Sequence, residues 1–454
     1  MPELELYPYQ QKALYASVLN HHLMNFDCGL GKTVTAIELG EAFLKQNMIA
    51  MTSHSHKGRV LVTAPKRLVL QWAKVIHEQT GRGVTVIPSG IMYDPKKLEG
   101  WVITHYEVMN SKTGRPLRSV MWDVHIVDEA HYMCNRKAAR TRAVKAIDSF
   151  RRIALTATPL DKAPDELWSI LNWFEPRKWT SYWNFVQKYC DIEEVPPWLV
   201  KGRSAVMSVV GAKEANLPLL AEEMKPYFTR VLKEEAAPWL PELTVQKVPV
   251  EMSIRQQRVY LDVVRADDII VESDNIELYV PNVLSRIVKL QQITSGAIQG
   301  VPSEKVRWAI DYRNDNPNEV MMFFTRFVLT GKALADRFGC EFVTAGSELP
   351  KDFIEGRSNT VVGTIDAMGE GIDGLQRAKT AVFVDQHWSS RKMTQAVSRV
   401  HRLGIKEGKN VVYLYCPKTY DEMVLKSIEE KWTTQELVYS YLKGEPNDNT
   451  GDTG

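Results

Sequence analysis

Asp27-Cys28-Gly29-Leu30-Gly31-Lys32-Thr33 is the stretch that decides how this chain of 454 residues is read. A Gly-x-Gly-Lys-Thr loop is built to hold a nucleoside triphosphate. Small residues such as Gly29 and Gly31 let successive backbone N–H groups converge on phosphate oxygens. Lys32 can reach the β/γ-phosphates, and the Thr33 hydroxyl can ligate Mg²⁺. The flanks agree. Leu23-Met24-Asn25-Phe26 reads as a strand, and apolar residues recur at helical spacing from Val34 to Leu44, so a phosphate would meet the positive end of a helix. The full Gly-x4-Gly-Lys pattern asks for a small residue at position 26, where this chain has Phe26. The plainer alternative for the loop by itself is a Gly-rich turn before a core helix.

Length alone suggests two or three domains. An apolar fraction of 44% with 25% charged residues is ordinary for soluble globular protein. No apolar run approaches the roughly 20 residues of a membrane span. The start, Met1-Pro2-Glu3-Leu4-Glu5, is acidic and lacks a hydrophobic signal region, so an intracellular protein is expected. The five cysteines, at 28, 134, 190, 340 and 416, form no Cys-x-x-Cys pair and indicate neither a disulfide framework nor a zinc site. A net charge of +2 says little about nucleic acid. A local basic segment, however, sets Arg136, Lys137, Arg140, Arg142, Lys145, Arg151 and Arg152 against Asp148 alone. It is either a nucleic-acid surface or a solvated helix face.

Short β-rich runs alternate with helical patterns, the sign of parallel α/β domains. Strands are expected at 59–64, 101–104, 124–128 and 152–156. From 176 Trp and Pro become frequent and the pattern turns mostly helical to about 240. A second α/β series follows, with strands at 320–324, 360–364, 381–385 and 410–414. The tail 445–454 has no apolar content and is expected to be disordered.

Three further motifs carry chemistry. Asp128-Glu129-Ala130-His131 follows an apolar strand; Asp128 can hold Mg²⁺ and Glu129 can orient an attacking water. Leu155-Thr156-Ala157-Thr158-Pro159-Leu160 ends another strand with two hydroxyls. In Gln395-Ala396-Val397-Ser398-Arg399-Val400-His401-Arg402-Leu403-Gly404, the spacing predicts Arg399 and Arg402 on one helix face, where they could stabilise charge on a transferring phosphoryl group.

In this order the motifs resemble the Snf2 family of superfamily 2 helicase-like ATPases, with Asp128–His131 as a DEAH box. Leu6-Tyr7-Pro8-Tyr9-Gln10 resembles the family's adenine-side motif, Ala64–Trp72 its motif Ia, and Ile103–Glu107 its motif Ib. Trp179–Cys190, Lys225–Lys233 and Leu290–Ile293 match the family's insertion. Phe323–Phe327 stands at motif IV, and Thr364–Gly371 looks like motif V in the annealing-helicase branch. Three departures stand out. Cys134 precedes Asn135 where the family has Lys-Asn, Trp388-Ser389-Ser390 replaces Trp-Asn-Pro, and the stretch from Gly346 to Val361 is short.

The resemblance implies an α/β protein of two RecA-like parallel-sheet lobes with a mostly helical Snf2-type insertion. Lobe 1 would be 1–175, the insertion 176–242, and lobe 2 would be 243–444, including a helical part at 252–300. It implies ATP and Mg²⁺ as cofactors, and catalytic roles for Lys32, Asp128, Glu129, Arg399 and Arg402. The nucleotide would be held by Tyr7, Gln10, Gly29, Leu30, Gly31, Lys32, Thr33 and Gly371, and the metal by Thr33 and Asp128. Nucleic-acid phosphates would meet Lys66, Arg67, His105, Asn135, Arg136, Arg326 and Thr364, without sequence preference.

The implied activity is an ATP-dependent translocase on double-stranded or branched DNA. The chain is expected to be a monomer in the cytoplasm or nucleoid of a bacterium, or in a virus-infected cell. About 24 residues separate Gly371 from Gln395, which leaves little room there for a strand-splitting hairpin. Two alternatives remain: a strand-separating superfamily 2 DNA or RNA helicase, and a nucleic-acid-binding scaffold without turnover. Intact Lys32, Glu129 and Arg402 argue against the scaffold. A fused nuclease would need clustered acidic or His/Cys residues, which the insertion lacks.

Overall fold

The computed structural model describes residues 5–50, 58–161, 163–195, 206–266, 270–274, 276–369, 372 and 374–443. The tail 445–454 and Gly371 lie outside them. The chain divides into two compact units, one running to Pro238 and joined by the chain from Thr433 on, the other spanning Trp239–Trp432. No helix among the described residues is long and apolar enough to cross a membrane.

The first unit is built on β1 (His22–Phe26), β2 (Arg59–Ala64), β3 (Val84–Val86), β4 (Gly100–His105), β5 (Trp122–Asp128) and β6 (Ser149–Leu155). An antiparallel ribbon of β7 (Cys190–Val195) and β8 (Val206–Ala212) follows, then β9 (Phe228–Val231). The sheet order is β3-β4-β2-β5-β6-β1-β9, and every pairing is parallel. Helices cover such a sheet on both faces, so its strands read as unbroken apolar runs. β1 is buried at all five positions. The expected strands therefore fall in place to within a few residues.

The segment 176–242, expected as a mostly helical insertion, holds the helices Tyr182–Tyr189 and Leu217–Met224, but also the ribbon and β9. β9 pairs with β1, and Phe185, Val186, Leu220 and Met224 share one apolar cluster with Leu61, Val102 and Trp173. These two helices and β9 are thus packed into the core of the first unit. Periodicity does not reveal this, because a four-residue strand, Phe-Thr-Arg-Val, is too short to show an alternation.

The second unit contains β10 (Leu243–Pro249), a hairpin of β11 (Ile270–Ser273) and β12 (Ile276–Tyr279), β13 (Met321–Thr325), β14 (Glu341–Val343), β15 (Thr360–Thr364), β16 (Thr380–Phe383) and β17 (Lys409–Tyr415). Its six-stranded sheet, β10-β17-β16-β13-β15-β14, is also parallel throughout. In the region 252–300 the helices Ile254–Arg265 and Val283–Ser295 close on the hairpin around Val259, Val271, Leu278 and Ile293.

One charged cluster lies at the heart of this unit. Lys305 is fully buried in the helix Glu304–Asp315, with Nζ 2.6 Å from Asp421 Oδ2 and 3.5 Å from Asp385 Oδ1. Thr294 donates to Asp421 at 2.9 Å and Thr325 donates to Asp385 at 2.5 Å. Burial works against the Lys305 charge, but the two carboxylates outweigh it and hold its pKa above the ordinary lysine value. Removing one partner of such a cluster leaves the others buried and uncompensated. Lys305→Met, close in volume, is therefore expected to cost about 3–5 kcal/mol of unfolding free energy near neutral pH. Urea unfolding of the two proteins checks this.

Candidate functional site: a phosphate loop and an acidic pair on one sheet edge

The helix Pro8–Leu19 sets Gln10 beneath the Gly-rich loop. Gln10 Nε2 and Tyr9 OH both donate to Leu30 O, each at 3.1 Å, and Tyr7 stacks on Tyr9 with ring centroids 5.7 Å apart. Gly31 has φ +80°, and a β-carbon there would stand 2.3 Å from Gln10 Nε2. Another residue would be strained in the backbone and would push this brace aside. Gly29 also has a left-handed φ, +88°, and is exposed, while Leu30 is fully buried. Phe26, the departure from the small-residue pattern, is fully buried with Tyr9 edge-on against it. It belongs to the core and leaves the loop backbone unobstructed. Lys32 Nζ donates to Phe26 O at 2.9 Å and to Asp27 O at 3.4 Å. Thr33 is half-buried in the first turn of the helix Lys32–Ala50.

The acidic pair ends β5. Asp128 is 7% exposed; its carboxylate accepts from Trp72 Nε1 at 2.8 Å and from the Glu129 N–H at 2.9 Å. Tyr106 OH donates to Asp128 O at 2.6 Å. Burial, and then the Glu129 carboxylate, push Asp128 up to about 7 against the opposing Trp72 hydrogen bond and the Lys32 charge. Glu129 sits at φ +49°, a strained backbone for a non-glycine residue, with its carboxylate 3.2 Å from His131 Nδ1. His131 Nδ1 also lies 3.3 Å from Thr156 Oγ1, which joins the acidic pair to the Thr156–Pro159 turn after β6.

Register brings these groups together. Asp128 of β5 stands opposite Leu155 of β6, and Leu155 opposite Met24 of β1, so the loop, the acids and the turn leave three adjacent strands at their carboxyl ends. Among the described residues no cluster of three or more His, Cys, Asp or Glu could hold a metal ion by itself. Thr33 and Asp128 instead suit a hard cation that takes its other ligands from phosphate and water.

The residues expected at nucleic acid divide. Lys66 and Arg67 are exposed in a short turn after β2. His105, at the neighbouring end of β4, is largely buried, with Nδ1 2.6 Å from Glu107 Oε2. Asn135 is exposed and its side chain accepts from the Lys137 N–H, while the Arg136 guanidinium lies 4.2 Å from the centre of the Tyr182 ring. Much of the basic segment is used inside the unit. Arg140 donates to Tyr132 O, Lys145 to Asn172 Oδ1, and Arg152 to Trp173 O. Burial pulls Lys145 down to about 8. Lys137 and Arg142 stay exposed.

In the second unit, Thr364 ends β15 opposite Thr325, the last residue of β13, and Arg326 follows Thr325. Arg326 donates to Gln291 Oε1 at 2.5 Å and its N–H to Asp385 at 3.2 Å; Thr364 caps the turn Ile365–Met368 by accepting from Ala367 N–H at 3.3 Å. Arg399 Nε donates to Gly369 O at 3.0 Å. The expectation that Arg399 and Arg402 share a helix face is corrected: the helix ends at Val400, and Arg402 follows it in a loop. His401 Nε2, bonded to Pro241 O at 2.7 Å, anchors that exit.

Sequence reasoning gave no role to Tyr9, Asn25, Trp72, Tyr106 or Arg230. All five lie inside stretches it singled out, but a motif does not say which side chain faces inward. Trp72 and Tyr106, from stretches expected to face nucleic acid, buttress Asp128 instead.

A loop shaped for phosphate beside a buried acidic pair, at the carboxyl edge of a parallel sheet, defines a nucleotide-handling α/β protein. A family model described as the SNF2-related domain matches residues 13–296. The chain belongs to that family of helicase-like ATPases. It is 22% identical over 491 residues to "Chromodomain-helicase-DNA-binding protein 7" of Gallus gallus, covering 94% of this chain and 15% of that protein. "Chromatin structure-remodeling complex protein SYD" of Arabidopsis thaliana is 25% identical over 485 residues, 94% of this chain and 13% of that one. An "Uncharacterized ATP-dependent helicase" of Mycoplasma pneumoniae is 25% identical over 447 residues, 93% of this chain and 40% of that protein. The chain thus spans well under half the length of these relatives. Among solved structures, "Sulfolobus solfataricus SWI2/SNF2 ATPase core in complex with dsDNA" aligns with a TM-score of 0.44 at 22% identity, over 98% of this chain and 97% of that one.

The raised pKa of Asp128 has a measurable consequence. Its carboxyl is held up to about 7, so a divalent cation binding there would have to displace a proton at lower pH. Apparent affinity for a Mg²⁺-nucleotide should fall by up to about tenfold per pH unit below 7 and level off above it. Titration with a fluorescent nucleotide across that range, with and without Mg²⁺, checks this; a flat profile in Mg²⁺ contradicts it.

Proposed function

We propose that this chain binds ATP with Mg²⁺ on the first unit and couples its hydrolysis to movement along double-stranded DNA. The observation that carries the nucleotide half is the joint placement of Lys32, Asp128 and Glu129 at one sheet edge, with the Lys32 charge close enough to act on Asp128. Lys32 moves from the loop carbonyls to the phosphates, Thr33 and Asp128 hold the cation, and Glu129 orients the attacking water. Mg²⁺ supplies charge neutralisation on the β- and γ-oxygens when bound. The reading gives Arg399 and Arg402 the stabilisation of charge on the transferring phosphoryl group, on the strength of the sequence motif. An intracellular location goes with this reading.

The DNA half rests on family membership, on the exposed Lys66 and Arg67, and on the adjacent strand ends carrying Arg326 and Thr364. Contacts of this type meet phosphates, so binding is sequence-independent and steeply salt-dependent. Translocation is preferred to strand separation because the stretch before Gln395 holds a short turn, β16 and the exit to the helix Ser390–Val400, with no hairpin among its described residues.

The deciding measurement is ATP hydrolysis stimulated by duplex DNA, single-stranded DNA and RNA, beside an unwinding assay. Stimulation chiefly by duplex without unwinding of a plain duplex end supports the reading; efficient unwinding with no remodelling or annealing overturns it. Lys32→Ala and Arg402→Ala should each abolish stimulated hydrolysis, the latter by roughly 10³-fold or more, with DNA binding largely intact. Loss of binding in both would count against these roles. The double variant Lys66→Ala/Arg67→Ala should weaken DNA binding alike on unrelated sequences and reduce the slope of log affinity against log salt by about 2, as filter binding at several salt concentrations would show.

A further inference from the structure

β9 returns from the segment 176–242 to lie beside β1, and one of its side chains reaches the phosphate loop. Arg230, with 8% side-chain exposure, sets Nη2 2.7 Å from Asp27 Oδ1 and donates from Nη1 to Asn25 O at 3.3 Å and Ala157 O at 3.4 Å. The other Asp27 carboxylate oxygen accepts the Lys233 N–H at 2.9 Å, and the Asp27 N–H donates to Val231 O at 3.0 Å. Asn25 Nδ2 completes the knot by donating to Thr156 O at 3.0 Å and Ala157 O at 2.8 Å. The first residue of the phosphate loop and the turn after β6 are therefore held by one guanidinium from a third strand.

We infer that Arg230 is a positioning residue that sets the phosphate loop against the Thr156–Pro159 turn, so that the segment 176–242 acts on nucleotide binding through β9. This rests on the ATP-binding reading above. Pairing of the two strands does not require the side chain, because the backbone ladder from Leu23–Phe228 to Phe26–Val231 already makes it. The acceptors of Arg230, namely Asp27, Asn25 O and Ala157 O, belong to the loop entrance and to the turn. A planar guanidinium reaches such divergent acceptors at once, which a single ammonium cannot. Asp27 O is also one of the two carbonyls on which Lys32 rests, so a shift of Asp27 moves the resting place of the phosphate-binding lysine. Displacement of a binding group by about 1 Å is worth roughly 10²-fold.

The test compares wild type with Arg230→Met, Arg230→Lys, Asp27→Asn and the double variant Asp27→Asn/Arg230→Met. Affinity for fluorescent ADP is measured well below the unfolding transition, and thermal stability beside it. Arg230→Met and Asp27→Asn should each weaken ADP binding by about 10- to 100-fold. Arg230→Lys should recover part of the loss. The double variant should bind no worse than the weaker single one, because both break the same link. Wild-type affinity in Arg230→Met and Asp27→Asn, or additive losses in the double variant, overturns the inference while leaving the ATP reading intact. A wild-type chain that fails to bind ADP removes both. Should Arg230→Met not fold, Arg230→Lys and Asp27→Asn carry the decision alone, since a purely structural role would lower the melting temperature and leave affinity unchanged.

Discussion

Burying the Asp128 carboxylate at the end of a parallel strand is the constraint on which the first unit depends. A carboxylate taken out of water is costly unless hydrogen bonds meet it. Trp72 and the Glu129 N–H meet this one, while Tyr106 fixes the strand end by its carbonyl. Trp72 and Tyr106 come from the helix and the turn that follow β2 and β4, so the acid is held by elements that themselves leave the sheet at its carboxyl edge. Neighbouring strands lie about 4.8 Å apart, which puts the phosphate loop two strand spacings, or about 10 Å, from the acid.

The second unit repeats the principle with a cation at its centre. Asp385, just past β16, accepts from Thr325 and from the Arg326 N–H, and Lys305 supplies the opposing charge from below. The loop that presents Arg326 is thereby fastened to a buried ion cluster, besides its own turn bond from Phe327 N–H to Thr325 Oγ1 at 3.1 Å. Arg399 is likewise held by a backbone carbonyl, Gly369 O.

The basic segment 136–152 shows how little a charge count says about a surface. Arg140, Lys145 and Arg152 donate to Tyr132 O, Asn172 Oδ1 and Trp173 O, and the charged ends of Arg140 and Lys145 also lie over the Tyr132 and Trp168 rings. Lys137 and Arg142 remain for solvent or a partner, and Arg136 stands between, stacked on Tyr182. Partners from the helices Asp165–Phe174 and Tyr182–Tyr189 engage Lys145, Arg152 and Arg136.

The sequence by itself determined the parallel α/β class, the positions of the main strands, the phosphate loop, the acidic pair and the family. Each of these is written in local pattern: unbroken apolar runs for buried strands, glycines where the backbone must turn left-handed, acids at a strand end. Tertiary structure alone decided what lies far apart in the chain. Lys305 meets Asp385 and Asp421 across 80 and 116 residues, and Arg230 reaches Asn25 across 205. No periodicity connects such pairs, because their encounter is set by strand order and register and not by spacing. For the same reason β9 reads as a fragment of a helical insertion until β1 is beside it, and the exit of Arg402 from its helix depends on His401 finding Pro241 O.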